Sequence, residues 1–318
     1  MKRKRYRSFN FYIRLYRIFY KLFLPEKWRH LRKSVPYFKL DTSTRTVRWK
    51  GRSVLVLEDW DTLEVSAEKL VVVGSGPSLR RHQQYLSLFQ PDVTYAFVND
   101  AAELVGSSAA VDDSVVIIED DRFLLKKYSI LRRLPDGTRL ILSLSALYAL
   151  CYIDPENASR FRVWFMDGAA SPFDRGRYSK AEMAAIPDLV ISDNACLSKN
   201  LKLGHFGCGT VAYAGIQLGF LRRSKQVYLV GVDMTNFDLP RFNENASDAA
   251  WSGLAQSYHS RILPAFTLAS EVAREEGMTI FNCSDDSIIP HDVFPYCGRL
   301  AEAAQAEGFS GKPVVENR

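Results

Sequence analysis

The stretch KLVVVGSGPSL, residues 69–79, decides how the chain is read. Leu70–Val73 is a short apolar run without polar alternation, the pattern of a strand buried on both faces. It runs into Gly74-Ser75-Gly76-Pro77-Ser78, where Pro77 suits the first turn of a helix. Gly74 and Gly76 let the backbone turn sharply and bring N–H groups to the helix start, where the dipole favours an anion. A nucleotide phosphate fits that geometry, and a plain strand-to-helix turn fits it equally. The pattern is neither GxGxxG nor a P-loop, because no Lys follows at the needed place, so NAD and ATP motifs are not matched.

Strands of the same kind recur outward from this one: DVTYAFVND ending at Asn99, SVVIIEDD ending at Asp120, TRLILSLS, QVYLVGVDMT ending at Asp233, and MTIFNCS ending near Ser284. Helical stretches separate them. The predicted fold class is therefore α/β: a Rossmann-like, mostly parallel sheet with helices on both faces and a ligand crevice beyond the strand C-termini. Before it, TVRWKGRSVLVLEDWDTLEV alternates around a Lys50-Gly51 turn and predicts a hairpin or a pair of edge strands. Residues 151–203 and 236–260 are polar and irregular, and predict lid excursions over a site. No internal repeat or low-complexity tract is present.

A second glycine cluster, GHFGCGTVAYAGIQLGF at 204–220, predicts another helix opening near Thr210, with Gly207 and Gly209 leaving its first N–H groups uncovered. Gly215 and Gly219 read as close-packing positions. Two bare helix mouths on one sheet suggest a ligand with a phosphate and a second polar moiety. His205, beside the second mouth, reads equally well as structural. Asp112, Asp113, Asp285 and Asp286 read as turn and cap residues.

The net charge of +6 is misleading. Residues 1–33 hold twelve Lys or Arg against the single Glu26, which leaves the remainder of the chain at −5. A net-negative body is a poor match for a phosphate backbone, so no nucleic-acid partner is expected. In the arm, Arg3, Arg7, Arg14, Arg17 and Lys21 fall on one strip about 80° wide at 100° per residue, with Phe9, Tyr12, Ile13, Tyr16, Phe19, Tyr20, Phe23 and Leu24 opposite. Charges interrupt the apolar run too often for a spanning helix, and no small-residue cleavage site follows. The arm reads as an interfacial helix ended by Pro25, with a helix docked on its own domain as the alternative. The organisation expected is an arm over 1–40 and a single Rossmann-like domain over 41–318. The five cysteines are odd in number and scattered without metal-ligand spacing, which points to a reducing compartment and no zinc.

In order and spacing, GCGTVAYAGIQLGF, VGVDMTNFDLPRF, ILPAF and IFNCSDDSIIP resemble the C-terminal half of WaaZ-type lipopolysaccharide core proteins, assigned as Kdo transferases. DDRFL at 120–124 and VND at 98–100 look like counterparts of that family's N-terminal half. The resemblance covers about residues 70–297. More distantly, GSGPSL, Asn99, the glycine-opened helix and YLVGVD look like the bacterial sialyltransferases that use CMP-sialic acid.

Both resemblances imply a CMP-linked 2-keto sugar acid as donor, with no cofactor beyond that substrate. On the analogy Gly74, Ser75, Gly76, Ser78 and Asn99 face phosphate and ribose, Cys208, Gly209 and Thr210 lie near the cytidine or the sugar carboxylate, and Asp233 lines the same crevice. A base must take the acceptor hydroxyl's proton, and a neutral imidazole or a carboxylate can do so. His259, in a place comparable to the sialyltransferase lid histidine, and Asp120, at a central strand end, are the rivals, with an ordinary lid residue and a helix cap as their bland readings. Arg122 could fork a substrate carboxylate. The chemistry requires no metal, since the nucleotide leaves as a stabilised anion and helix mouths supply the electrostatic help. The implied reaction moves a Kdo-like residue to a lipid A–core acceptor at the cytoplasmic face of the bacterial inner membrane. The alternatives are a sialyl- or other nonulosonate transferase, or a membrane-associated nucleotide-binding protein without turnover.

Overall fold

The computed structural model describes residues 11, 14–15, 18–33, 37–63, 68–105, 113–235, 241–243 and 253–306. Asp112, residues 236–240 and 244–252 of the 236–260 excursion, Arg3, Arg7 and Arg17 of the basic strip, and Phe9, Tyr12, Ile13 and Tyr16 of the face opposite lie outside them.

Among the described residues, twelve strands are labelled in chain order: β1 Phe38–Asp41, β2 Thr46–Trp49, β3 Arg52–Val56, β4 Lys69–Val73, β5 Val93–Val98, β6 Ser114–Ile118, β7 Arg139–Ser143, β8 Arg162–Met166, β9 Leu189–Ile191, β10 Cys196–Ser198, β11 Gln226–Val230 and β12 Thr279–Asn282. Five longer helices are α1 Asp121–Arg133, α2 Leu144–Ile153, α3 Ala212–Leu221, α4 Leu263–Glu275 and α5 Arg299–Ala306. Seven strands form one sheet in the order β12-β11-β4-β5-β6-β7-β8, and every neighbouring pair is parallel. This is the Rossmann-like α/β architecture read from the sequence.

The apolar runs are continuous because both faces of the sheet are covered. Val71, Val73, Tyr95, Phe97, Val116 and Ile118 face one core, into which the antiparallel β1–β2–β3 sheet sends Val47, Trp49 and Leu55. The alternate residues Leu70, Val72, Ala96, Val98, Val115 and Ile117 face a second core with α3 and α4. Every residue of α3 is buried. It lies flat on the sheet because Gly215 and Gly219 have no side chain, and Cβ atoms there would meet Val72 Cγ1 at 2.6 Å and Val227 Cγ2 at 2.7 Å. The Lys50-Gly51 turn is as read, with both residues left-handed at φ 51° and 79°.

Two readings are corrected. Residues 151–203 are more than a lid, for they supply β8, the edge strand of the main sheet, and the β9–β10 hairpin. The arm boundary at 40 falls inside β1, which pairs with β2 through Asp41↔Thr46.

The chain leaves β4 through β5 to β8, then returns to β11 on the other side of β4. The loops after β4 and β11 therefore meet at the topological switch point, where such sheets bind ligands. A Cβ on Gly74 would stand 2.4 Å from Gly231 O, and backbone cannot yield as a flexible side chain can. Gly74→Ala is expected to cost about 3 kcal/mol, the upper end for overpacking, read as a lower urea midpoint at unchanged slope.

Candidate functional site

The GSGPS turn meets its anion from within the chain. Gly74 N donates to Val230 O at 2.7 Å and Gly76 N to Gly231 O at 2.9 Å. Ser78 N donates to Asp233 Oδ2 at 2.9 Å, and the Ser78 hydroxyl donates to Asp233 Oδ1. Asp233 is buried, and Gly76 is glycine because a Cβ would sit 2.6 Å from its Oδ2. The expectation of bare amides at Gly74, Gly76 and Ser78 is therefore corrected. The carboxylate of the neighbouring strand end takes the place a phosphate was expected to fill, and sequence could not show the two loops touching. Ser75 O accepts from Phe242 N of the 241–243 segment at 3.4 Å. Asn99, left-handed at φ 50°, directly follows β5 and carries a buried Oδ1 that no described group bonds.

The second mouth is open. Helix α3 starts at Ala212, two residues later than read, and the Thr210 hydroxyl accepts from Ala212 N at 3.4 Å. Gly209 is left-handed at φ 108°. The amides of Gly207, Gly209 and Val211 donate to no described residue, while the Thr210 amide reaches the Cys208 sulfur. Burial pushes the Cys208 thiol up to about 12, so it stays protonated and offers no thiolate. Gln217, the one polar buried side chain of α3, holds the loop before the mouth by accepting from Phe206 N at 3.0 Å and donating to Phe206 O at 2.9 Å. A cation stands at the opening: Arg261 Nη2 lies 3.1 Å from where a Gly209 Cβ would be, and bonds Ser257 Oγ at 2.9 Å. Open amides and a guanidinium together suit a carboxylate or phosphate.

Below the mouth lies an acidic group that the sequence reading passed over. Glu119, the residue directly after β6, puts Oε1 2.7 Å from the Cβ position of Gly207. Its Oε1 is 3.5 Å from His205 Nε2, and His205 Nδ1 is 2.7 Å from Asp167 O. A carbonyl only accepts, so Nδ1 carries a proton and Nε2 is the nitrogen turned toward Glu119. Burial works against the imidazolium, but the Glu119 carboxylate and the Asp167 carbonyl outweigh it and raise His205 above its ordinary value. The Asp167 carboxyl, itself raised by burial, accepts from Gly168 N at 2.7 Å and Phe173 N at 2.8 Å. The signal for Glu119 was its place at the end of SVVIIEDD, but three successive acids left the choice to backbone geometry.

Asp120 and Arg122 satisfy one another. Asp120 caps α1 by accepting from Arg122 N at 2.8 Å, and Arg122 Nη2 stands 2.6 Å from Asp120 Oδ2. Burial favours the acid form of Asp120, yet the Arg122 hydrogen bonds outweigh it and lower the carboxyl, which makes it a weak base. The structure therefore gives Asp120 its cap reading, with Arg122 as its ion-pair partner. Burial and then Asp120 push the next residue, Asp121, up to about 6. His259 is exposed in the turn before α4, its ring edge-on to Tyr258 at 4.9 Å. Tyr258 ties that turn to the crevice rim, since its hydroxyl donates to Ile288 O at 2.9 Å while Ile288 N donates to Asp233 O at 3.2 Å.

Residues 180–300 match the family described as 3-deoxy-D-manno-octulosonic acid transferase WaaZ. The match contains the four C-terminal motifs on which the sequence resemblance rests. A probable 3-deoxy-manno-octulosonic acid transferase of Salmonella typhimurium is 30% identical over 120 residues, 38% of this chain and 43% of that protein. One from Escherichia coli is 30% identical over 98 residues, 31% of this chain and 33% of that protein. The chain thus spans less than half the length of these curated relatives. Among solved structures, the Campylobacter jejuni sialyltransferase CstII in complex with CMP-3FNeuAc is similar at 12% identity and a TM-score of 0.37, over 73% of this chain and 87% of that one. The monofunctional alpha-2,3-sialyltransferase Cst-I of the same organism gives 12% and 0.37, over 76% and 82%.

His205 gives the site a pH signature. A histidine raised in the folded state contributes stability that is fully present below its unfolded value, about 6.5, and is lost as pH climbs through the higher folded value. Thermal melts of wild type and His205→Gln should therefore differ most near pH 6 and converge toward pH 9. A difference that grows with pH would reverse the assignment.

Proposed function

We propose that this chain is a CMP-sugar-dependent glycosyltransferase that moves a Kdo-like 2-keto sugar acid to a lipid A–core acceptor at the cytoplasmic face of the inner membrane. The observation that carries the reading is the open, glycine-lined start of α3 with Arg261 across it, inside the segment that matches the Kdo transferase family. A CMP-linked keto sugar acid bears two anions, a carboxylate and a phosphodiester. The amides of Gly207, Gly209 and Val211 with the Arg261 guanidinium receive one of them. Asn99, with its unbonded buried oxygen at the adjoining strand end, supplies a polar contact for the nucleotide. Asp233 and Ser78 act from beneath, holding the switch-point loops together rather than touching phosphate.

The arm supplies the acceptor's location. Among the described residues no helix is long and apolar enough to cross a membrane. Residues 11–23 are helical wherever described, and Phe11, Leu15, Ile18, Phe19, Leu22 and Phe23 form an exposed apolar sector, with Leu22 70% and Phe23 68% accessible. Those side chains are not packed on the body, which favours the interfacial reading over a docked helix. Anchoring to the body begins after Pro25, where Arg177 N donates to Lys27 O at 2.7 Å and His30 Nε2 meets Pro172 O at 2.7 Å. The apolar sector enters the acyl boundary while the basic strip meets anionic head groups, each cation contributing about 1 kcal/mol.

Two measurements test this reading. Calorimetric titration should show CMP binding in preference to UDP or ADP, and Arg261→Ala should weaken it about 10- to 100-fold, the range of one or two charge-assisted hydrogen bonds, with the melting temperature little changed. Release of CMP from CMP-Kdo faster than from CMP-sialic acid supports the Kdo reading, the reverse order supports another nonulosonate, and binding without release makes the chain a non-catalytic nucleotide binder. Removing residues 1–24, which leaves the docked segment in place, should move the protein from sedimenting anionic vesicles to the supernatant. Unchanged sedimentation would remove the arm from the proposal.

A further inference from the structure

We propose that Glu119 is the general base of the transfer and that His205 is its positioning residue. This rests on the glycosyltransferase reading and deepens it. Glu119 directly follows the C-terminal end of the interior strand β6, beside the loop that opens α3. Its backbone carbonyl is fixed by the Ser143 hydroxyl at the end of β7 and by the Ser145 hydroxyl in the first turn of α2 at 3.0 Å. Its carboxylate occupies space that exists only because residue 207 is glycine. The side chain is 31% accessible, which leaves it both supported and reachable by a substrate hydroxyl.

His205 is almost wholly buried behind it, with 10% of its side chain accessible. The Asp167 carbonyl holds the ring, and the loop carrying His205 is pinned by Ala169 N donating to His205 O at 3.0 Å and His205 N donating to Asp167 O at 2.8 Å. A base oriented by a second group that is itself oriented by a third is the arrangement activated sites share. The alternatives within reach are less suited. Asp120 is consumed as a helix cap and ion pair, and His259 meets no orienting carboxylate or carbonyl among the described residues.

In the step, the acceptor O–H proton passes to a Glu119 oxygen as the acceptor oxygen forms a bond to the anomeric carbon. The bond from that carbon to the phosphate oxygen breaks with its electron pair leaving on CMP, and Glu119 then gives the proton to solvent. The other charged or titratable groups around the pair are Asp167, Cys208, Arg261 and the adjacent Asp120.

The test measures CMP release from CMP-Kdo with a lipid A–core acceptor as a function of pH, alongside CMP affinity and melting temperature. Glu119→Gln is expected to lower kcat about 10²- to 10⁴-fold, the range for a lost general base, to abolish the acid limb of the rate profile, and to keep CMP affinity within about threefold. Glu119→Asp should keep the acid limb at reduced rate, which guards against a variant that merely fails to fold. His205→Gln should lower kcat without changing CMP affinity and displace the acid limb rather than remove it, a readout a purely structural histidine would not move. Turnover of Glu119→Gln within fivefold of wild type, or an acid limb that survives it but vanishes in His259→Ala, overturns the assignment. A wild-type protein that releases no CMP overturns the transferase reading, and this proposal falls with it.

Discussion

The fold turns on the contact between the loops after β4 and β11. These two strands are neighbours from which the chain departs in opposite directions, so a crevice opens between their connections. Here the backbones meet so closely that Gly74 and Gly231 would collide if residue 74 carried a Cβ. The Asp233 carboxylate fastens the contact by accepting both the amide and the hydroxyl of Ser78. A buried carboxylate with two donors is stable, whereas one left unpaired would be costly, so the bond and the loop geometry require each other. The mouth after β4 is thereby closed by the chain's own carboxylate, and the mouth whose amides stay open is that of α3.

Polar and charged groups accordingly gather where β6 ends and α3 begins: open amides, Arg261 beside Gly209, and the Glu119–His205 pair beside Gly207. The turn before α4 joins both regions, since Ser257 and Arg261 face Gly209 while Tyr258 bonds the segment that bonds Asp233. A ligand seated at the α3 mouth would thus feel the switch-point loops through one short turn. The arm adds the remaining element, an exposed apolar sector joined to the body by a docked segment after Pro25.

Much of this was legible in the sequence because it is local. Continuous apolar runs announced strands covered on both faces, Lys50-Gly51 announced a tight turn, and Gly215 and Gly219 announced a helix pressed against the sheet. The four C-terminal motifs of the family resemblance lie within the matched segment, 180–300, while DDRFL and VND lie before it. By contrast, β8 was hidden in an irregular polar stretch, because RVWFM is short, begins with a charge and forms a sheet edge, where one-sided pairing leaves a weaker pattern. Asp120 was ambiguous for a related reason: a strand-end acid before a helix can serve as a cap or as a base, and the Arg122 side chain that pairs with it is seen only in the fold.

The sequence by itself determined the class of the sheet, the two glycine turns, the amphipathic arm and its end at Pro25, since each depends on periodicity or on backbone freedom within a few residues. Tertiary structure alone decided which helix mouth is filled and which is open, and which of Glu119, Asp120 and Asp121 faces the crevice. Those outcomes depend on side chains 155 residues apart meeting at Ser78 and Asp233, and on Gly207 making room for a strand end far earlier in the chain. Hydrogen-bond satisfaction is settled by what lies within about 3 Å in space, and no spacing along a chain encodes that distance.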